Sequence, residues 1–350
     1  MARIYLDYNA TAPLRPEART AMIAAMDEVG NPSSVHQEGR AAKMIMERAR
    51  EQVAVAMGAQ TADIVFTSGA TEAAALCLTG AEVHCSHIEH EAVSANCIVD
   101  QAVDNTGKVD VTRPERSTLQ LANSETGIIQ DLPDGLLASD MTQALGKVPV
   151  AFDWSDAQMA MVSAHKLGGP KGVGALVLKK GTDIAAQLRG GGQEMGRRSG
   201  TENIIGIAGF GAAAEAAGRD LDAGVWEKVE KLRNILENAI AQSSNRTIFV
   251  GNTANRLPNT TCMITPGWKG ETQVMQMDLA GLAVSAGSAC SSGKVKSSRV
   301  LMAMGFDETS AASALRVSLG PTTTESDVML FIEKWTSAYE KFMARQGTKL

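Results

Sequence analysis

Apolar positions in this chain fall into short blocks separated by Gly-, Pro- and Ser-rich punctuation, and the period within the blocks switches between that of a strand and that of a helix. Residues 63–67 (DIVFT) and the run Ala160, Met161, Val162 are continuous apolar stretches of strand length, the pattern of a strand buried on both faces. Pro16 suits the first turn of a helix that ends before Gly30. A second helix follows GNPSSVHQEGR and runs to about Met57 with Ala, Met and Val on one face. SGATEAAALCL starts another helix directly after the strand at 63–67, and STLQLANSETGIIQDLP reads as a strand ending in a polar turn. From Glu202 to about Gln242 the chain reads as helical, with Val225, Val229, Leu232, Leu236 and Ile240 on one core-facing stripe, and as the connection between domains. Beyond it, short strands at 247–250, 260–265, 282–285 and 314–319 alternate with helices, the last opening at a capping box of Thr324 and Asp327. That alternation predicts a small α+β domain with its helices on one face.

Composition narrows the class. With 350 residues and 44% hydrophobic content, the chain can fill one large core and a smaller one. A net charge of -6 without any Lys/Arg block argues against a nucleic-acid surface. No apolar run approaches the ~18 residues of a spanning helix, and MARIYLDYNA lacks the features of a signal peptide, so no membrane role and a cytoplasmic address are expected. The five cysteines are spread without CxxC pairs and are expected as free thiols. Cys77, Cys85, Cys97 and Cys262 read as small core side chains, whereas Cys290 lies in SAGSACSSGK, too rich in Ser and Gly to be core.

The candidate chemistry centres on SAHKLGGPKGVG. Lys166 leaves a buried strand among glycines, where partial desolvation lowers an amine's pKa and a flat ring finds room, so it is a candidate Schiff-base amine. Taken alone, the segment reads as a surface lysine in a turn, since Gly-rich turns with a lysine are common, and it lacks the GxxxxGK[ST] order of a phosphate loop. The helix start at Ser68 and Thr71 is a ready anion site or a plain cap. His84, Cys85, His87 and His90 cluster in EVHCSHIEHEAV, but a strand running into a turn aims successive side chains apart, so a metal site is not expected. His36 is read as a capping residue. Asp140 is either a helix cap or a carboxylate at the C-terminal edge of a parallel strand, and Arg316 by itself reads as a charge at a strand end. The glycines of QLRGGGQEMGRRSGTENI lack the GxGxxG order, which excludes a dinucleotide loop.

Nine segments in one order resemble the cysteine desulfurases of the NifS/IscS type, within the class V aminotransferases. They are YLDYNATAP, GNPSSVHQEGR, FTSGATE, EHEAV, DMTQALGKVP, SAHKLGGPKGVGAL, GGGQEMGRRSGTEN, SAGSACSSGKV and ALRVSLGPTTTESD. The resemblance implies an α/β, fold type I, pyridoxal 5'-phosphate (PLP)-dependent transferase. Its large domain, residues 15–244, would hold a mainly parallel sheet flanked by helices, and residues 1–14 with 245–350 would form the small domain. It implies Lys166 as the Schiff-base lysine, Asp140 against the PLP ring nitrogen with Gln143 beside it, and His90 stacking on the ring and moving protons. Ala70, Thr71, Ser163 and His165 would complete the cofactor pocket. Thr201 would reach the phosphate of the other subunit, making a homodimer part of the site. Arg316 would hold the carboxylate of L-cysteine near Asn123 and Ser124. Cys290 would take the sulfur as a persulfide, release L-alanine, and pass sulfur to acceptor proteins such as an iron-sulfur scaffold.

The sequence departs from that family in two ways. Its turn reads Asn123-Ser124-Glu125 where the family has Asn-Asn-Glu, and the connections between Gln130 and Asp140 and between Leu76 and Glu82 are short, so a peripheral helix or two should be missing. The alternatives are a selenocysteine lyase or another class V PLP aminotransferase, the latter having no use for Cys290, and a sulfur-assembly scaffold with weak catalysis.

Overall fold

The computed structural model describes residues 3–287 and 297–347, so Cys290 lies outside the described residues. The chain opens with β1 (Ile4–Tyr5), then α1 (Pro16–Met26) and α2 (Gln37–Ala56). With α1 and α2, the elements β2 (Asp63–Thr67), α3 (Ala70–Leu78), β3 (His84–Ser86), α4 (Glu91–Ser94), β4 (Ile98–Gln101), β5 (Ala138–Asp140), β6 (Met159–Ser163), β7 (Gly174–Leu178) and α5 (Ile204–Asp222) form the first unit, and β1 belongs with the second. Its sheet runs β4-β3, then residues 117–118, then β5-β6-β7-β2. Every neighbouring pair in it is parallel except those of β7, which is antiparallel to both β6 and β2.

Both faces of this sheet are buried, which is why its strands read as continuous apolar runs. Ile64, Phe66, Ala160, Val162, Ala175 and Val177 face α1, α2 and α5, and the intervening Val65, Met159, Met161, Leu176 and Leu178 face α3. The α2–α5 crossing is close, since a Cβ on Gly211 would lie 2.6 Å from the Ala49 Cα. Among the described residues no helix lies between Gln130 and Asp140, and only a turn joins α3 to β3, as the short connections lead one to expect. STLQLAN is less regular than expected. Ser117 and Thr118 form single bridges rather than a full ladder, although Thr118 N donates to His84 O (2.9 Å) and Leu119 N to Ala138 O (3.1 Å).

The single helical stretch expected from Glu202 is two helices. The chain breaks at Gly224, whose φ of 67° is accessible at low cost only to glycine, and α6 (Val225–Ser243) sets off in a new direction. The apolar stripe lies on α6 and buries Trp226, Val229, Leu236 and Ile240 in the second unit's core. That unit comprises β8 (Ile248–Phe249), β9 (Thr260–Ile264), α7 (Gly270–Leu279), β10 (Leu282–Ala283), β11 (Ser285–Ala286), α8 (Arg299–Ala303), α9 (Glu308–Ala311), β12 (Ala314–Ser318) and α10 (Glu325–Gly347). The strand expected at 282–285 is split, because β10 pairs with β1 while β11 pairs with β12. The antiparallel sheet β11-β12-β9-β8 packs α6, α7 and α10 on one face. Its other face meets Ile88 and Ile128 of the first unit, closing the junction. The capping box forms as expected, with Thr324 N on Asp327 Oδ2 (2.9 Å) and Asp327 N on Thr324 Oγ1 (3.2 Å).

Trp335 is fully buried, stacks on Tyr339 at 5.2 Å and donates its indole N–H to Gln273 Oε1. Trp335→Ala should therefore lower the stability of the C-terminal unit by about 3–5 kcal/mol, measured by guanidinium unfolding followed by far-UV circular dichroism.

Candidate active site

β2, β5 and β6 run in the same direction, so their C-terminal ends share one edge of the sheet, where open α/β sheets present their sites. β6 ends at Ser163 and runs into a tight turn of Ala164 to Lys166. The N-terminal segment docks over that turn, with Ala12 N donating to His165 O (2.8 Å) and Lys166 Nζ donating to both Asn9 O and Ala10 O (2.8 Å each). Lys166 is thus half-buried and engaged, not a charge loose in a surface turn. Asp140 ends β5, with Oδ1 accepting from Thr142 N (2.9 Å), and Gln143 Nε2 donates to the same Asn9 O at 2.9 Å.

The start of α3 lies on the same edge. Its N-cap, Gly69, offers no capping side chain, which leaves the amides around Ala70 and Thr71 to an external acceptor. β7 passes so close that a Cβ on Gly174 would come within 2.7 Å of the Gly69 backbone, and Ser163 Oγ lies beside Gly69. His90 is exposed and caps α4, its Nδ1 accepting from Ala92 N (3.1 Å). His36 caps α2 in the same manner, accepting from Gly39 N. His84 pairs with Asp100 at 2.8 Å. Burial, with Lys166 and Lys171 nearby, pushes His165 down to about 4, and its Nδ1 lies 3.1 Å from Thr11 Oγ1. Burial also raises Glu89 well above the carboxylate range, and its Oε1 accepts from Gln120 N (2.7 Å).

Arg316 is not a surface charge. It sits within β12 at 2% exposure, donates to Asp7 Oδ1 (2.7 Å) and Ser124 O (3.1 Å), and keeps Nε unpartnered. Its position in a fully buried strand, flanked by β9 and β11, is a tertiary fact that the alternation of ALRVS does not reveal. Ser124 is half-buried beside it. Asn123 builds the turn: its Oδ1 accepts from Glu125 N, Thr126 N and Thr126 Oγ1, and its Nδ2 donates to Ile88 O. Glu125 lies close to the chain on either side of the Cys290 segment. Ser298 Oγ donates to Glu125 Oε2 (2.5 Å), and a Cβ on Gly287 would lie 3.4 Å from that oxygen.

Thr201 is exposed and lines a cleft of about 100 Å³ with Ser68 and Arg198, the latter donating to Glu72 Oε1 at 2.9 Å. The loop before it is tethered by Glu194, a left-handed residue (φ 49°) whose carboxylate accepts from Phe66 N and Arg50. Cys77, Cys85 and Cys262 are buried and Cys97 is half-buried, all four as free thiols. Among the described residues no helix is long and apolar enough to cross a membrane. Sequence reasoning missed Asp7, Asn9, Glu125 and Lys147. All four sit inside segments quoted above, and nothing in their spacing marks them, because each acts on residues more than a hundred positions away or only within the folded turn.

A lysine amine, a carboxylate at the end of a parallel strand and an uncapped helix start on one sheet edge define a site for amine and carbonyl chemistry on a small anionic group. Residues 4–132 and 117–331 match the class-V aminotransferase family, and the chain belongs to it. A cysteine desulfurase of Cereibacter sphaeroides is 39% identical over 371 aligned positions covering 95% of each chain. That alignment is longer than the 350-residue chain, consistent with its short connections. The cysteine desulfurase IscS of Dictyoglomus turgidum is 35% identical, covering 97% of this chain and 95% of that one. A NifS-like protein of Rickettsia africae superposes with a TM-score of 0.87 at 32% identity, covering 97% of this chain and 99% of that one.

Burial pushes the Glu125 carboxyl from 4.5 up to about 7, against the Ser298 hydrogen bond and the charges of Arg316 and Arg299. The folded state then binds this proton more tightly than the unfolded chain, so the stability it contributes is fully present below about 4.5 and is lost as pH rises through about 7. Between about pH 5 and 8 the wild type should lose thermal stability relative to Glu125→Gln, seen as a Tm difference that moves in the variant's favour as pH rises.

Proposed function

We propose that this chain is a PLP-dependent cysteine desulfurase, converting L-cysteine to L-alanine and passing the sulfur through Cys290 to acceptor proteins. The observation that carries the reading is the convergence of Lys166, Asp140, Gln143 and the α3 start on one sheet edge, with Arg316 brought alongside from the second unit. These residues fit PLP. The amides at Ala70 and Thr71 and the Ser163 hydroxyl suit a phosphate, Asp140 suits a protonated ring nitrogen, and Lys166 suits the carbonyl carbon. When bound, PLP supplies a sink for the electron pair left as the substrate's Cα–H breaks.

The chain's own residues do the rest. Arg316 holds the substrate carboxylate, for which its buried, unpartnered Nε is one donor and a guanidinium edge now shared with Asp7 is another. Ser124 stands where the substrate approaches, a role that Asn123, committed to its turn, leaves to it. Lys166 takes the Cα proton, and the exposed imidazole of His90 relays protons near it, with His165 neutral above about pH 4. The Cys290 thiolate forms a bond to the substrate sulfur while the C–S bond breaks, and its electron pair, once protonated, leaves alanine. Ser298, just past the Cys290 segment, donates to Glu125, and Gly287, just before it, leaves no more than side-chain room to that carboxylate next to Ser124, which supports delivery of the thiol to the substrate end of the site. A solved relative, "SspA in complex with cysteine", has a TM-score of 0.75 and 26% identity. Thr201 completes the phosphate site of a second subunit in a homodimer, and the protein works in the cytoplasm, delivering sulfur for iron-sulfur clusters or thio-cofactors.

L-cysteine and dithiothreitol should yield alanine and sulfide with the wild type. Lys166→Ala should yield neither, and Cys290→Ala should lose sulfide release by at least about 100-fold. A PLP-loaded wild type that forms no alanine overturns the reading.

A further inference from the structure

Lys147 is a buried amine that the chemistry above does not use. It follows β5 in the same loop as Gln143, is 2% exposed, and has no carboxylate partner among the described residues. Burial, together with the charges of Lys166 and Arg316, holds its ammonium well below the ordinary lysine value. Taking an amine out of water costs free energy unless its hydrogens find acceptors. Its Nζ donates to Gln143 Oε1 at 2.6 Å and to Asn9 Oδ1 at 2.9 Å.

These two bonds fix the direction of two amides. Gln143 Oε1 accepts from Lys147 and one Nε2 hydrogen goes to Asn9 O, so the second Nε2 hydrogen is the one donor this side chain has left to offer. Asn9 Oδ1 accepts from Lys147 and from Asn259 Nδ2 (3.0 Å), which turns its own Nδ2 to Thr260 Oγ1 (2.9 Å) and Ser124 O (3.2 Å). Asn9 in turn presents the main-chain oxygen that receives both Gln143 and Lys166. Without Lys147, the buried Gln143 oxygen is left unsatisfied and the amide swings to find a donor.

We propose that Lys147 is a positioning residue that acts through Gln143, holding its amide so that the site presents a hydrogen-bond donor to an oxygen of the bound PLP ring. This rests on the cofactor reading given above. Lys147 itself touches neither cofactor nor substrate.

The test is a double-mutant cycle on cofactor-free protein, with three readouts: the PLP dissociation constant from tryptophan quenching, the long-wavelength absorbance after loading, and the Tm before loading. Lys147→Met should weaken PLP binding about tenfold and shift the absorbance band, as Gln143→Leu does, and the double variant should bind no more weakly than Gln143→Leu alone. Should Lys147→Met be insoluble, Lys147→Gln goes through the same cycle with the same outcomes. A lowered Tm with unchanged PLP affinity and spectrum makes Lys147 a purely structural residue and overturns the proposal, as do losses that multiply in the double variant. Lys166→Ala is the control for the underlying reading: if it keeps the long-wavelength band, the cofactor assignment fails, an outcome distinct from either result at Lys147.

Discussion

The Asn9 residue is the joint on which the site depends. Its main-chain oxygen receives Lys166 and Gln143 from the first unit, and its amide reaches Thr260 and receives Asn259 from the second. Its main-chain N–H donates to Ser318 Oγ at the end of β12. Every one of these groups is buried or half-buried, so each would cost free energy if left unpaired. The N-terminal segment is therefore a wedge between two cores, satisfied only when both units are in place.

Charge burial follows the same logic on the substrate side. Arg316 is fully buried and paired with Asp7, which is held in turn by Ser285 Oγ at 2.7 Å. A substrate carboxylate arriving at Arg316 meets a guanidinium already desolvated by the fold, so much of the penalty of stripping water from that cation is met during folding. Glu125 closes the arrangement. It is the neighbour of Ser124, carries a raised pKa, and touches Ser298 at the start of α8.

Short connections cost the sheet little. Residues 117–121 slip between β3 and β5 with main-chain bonds on both sides, and the turn that follows is built by the Asn123 amide. What remains is the layer that carries function: the C-terminal ends of β2, β5 and β6 and the start of α3.

The sequence alone determined what depends on local pattern and on motif. Continuous apolar runs marked β2 and β6, Thr324 and Asp327 marked the start of α10, and the nine ordered segments marked the family and Lys166 with it. It did not show the break at Gly224, because a glycine just ahead of an apolar stripe is compatible with a continuous helix until the two halves have different cores to face. Nor did it separate Asn123 from Ser124, or identify Asn9, Asp7 and Lys147. Only the tertiary structure decided those, since a polar side chain's role is set by which partners the folded chain places within hydrogen-bond reach. For Asn9 and Arg316 those partners lie more than a hundred residues away.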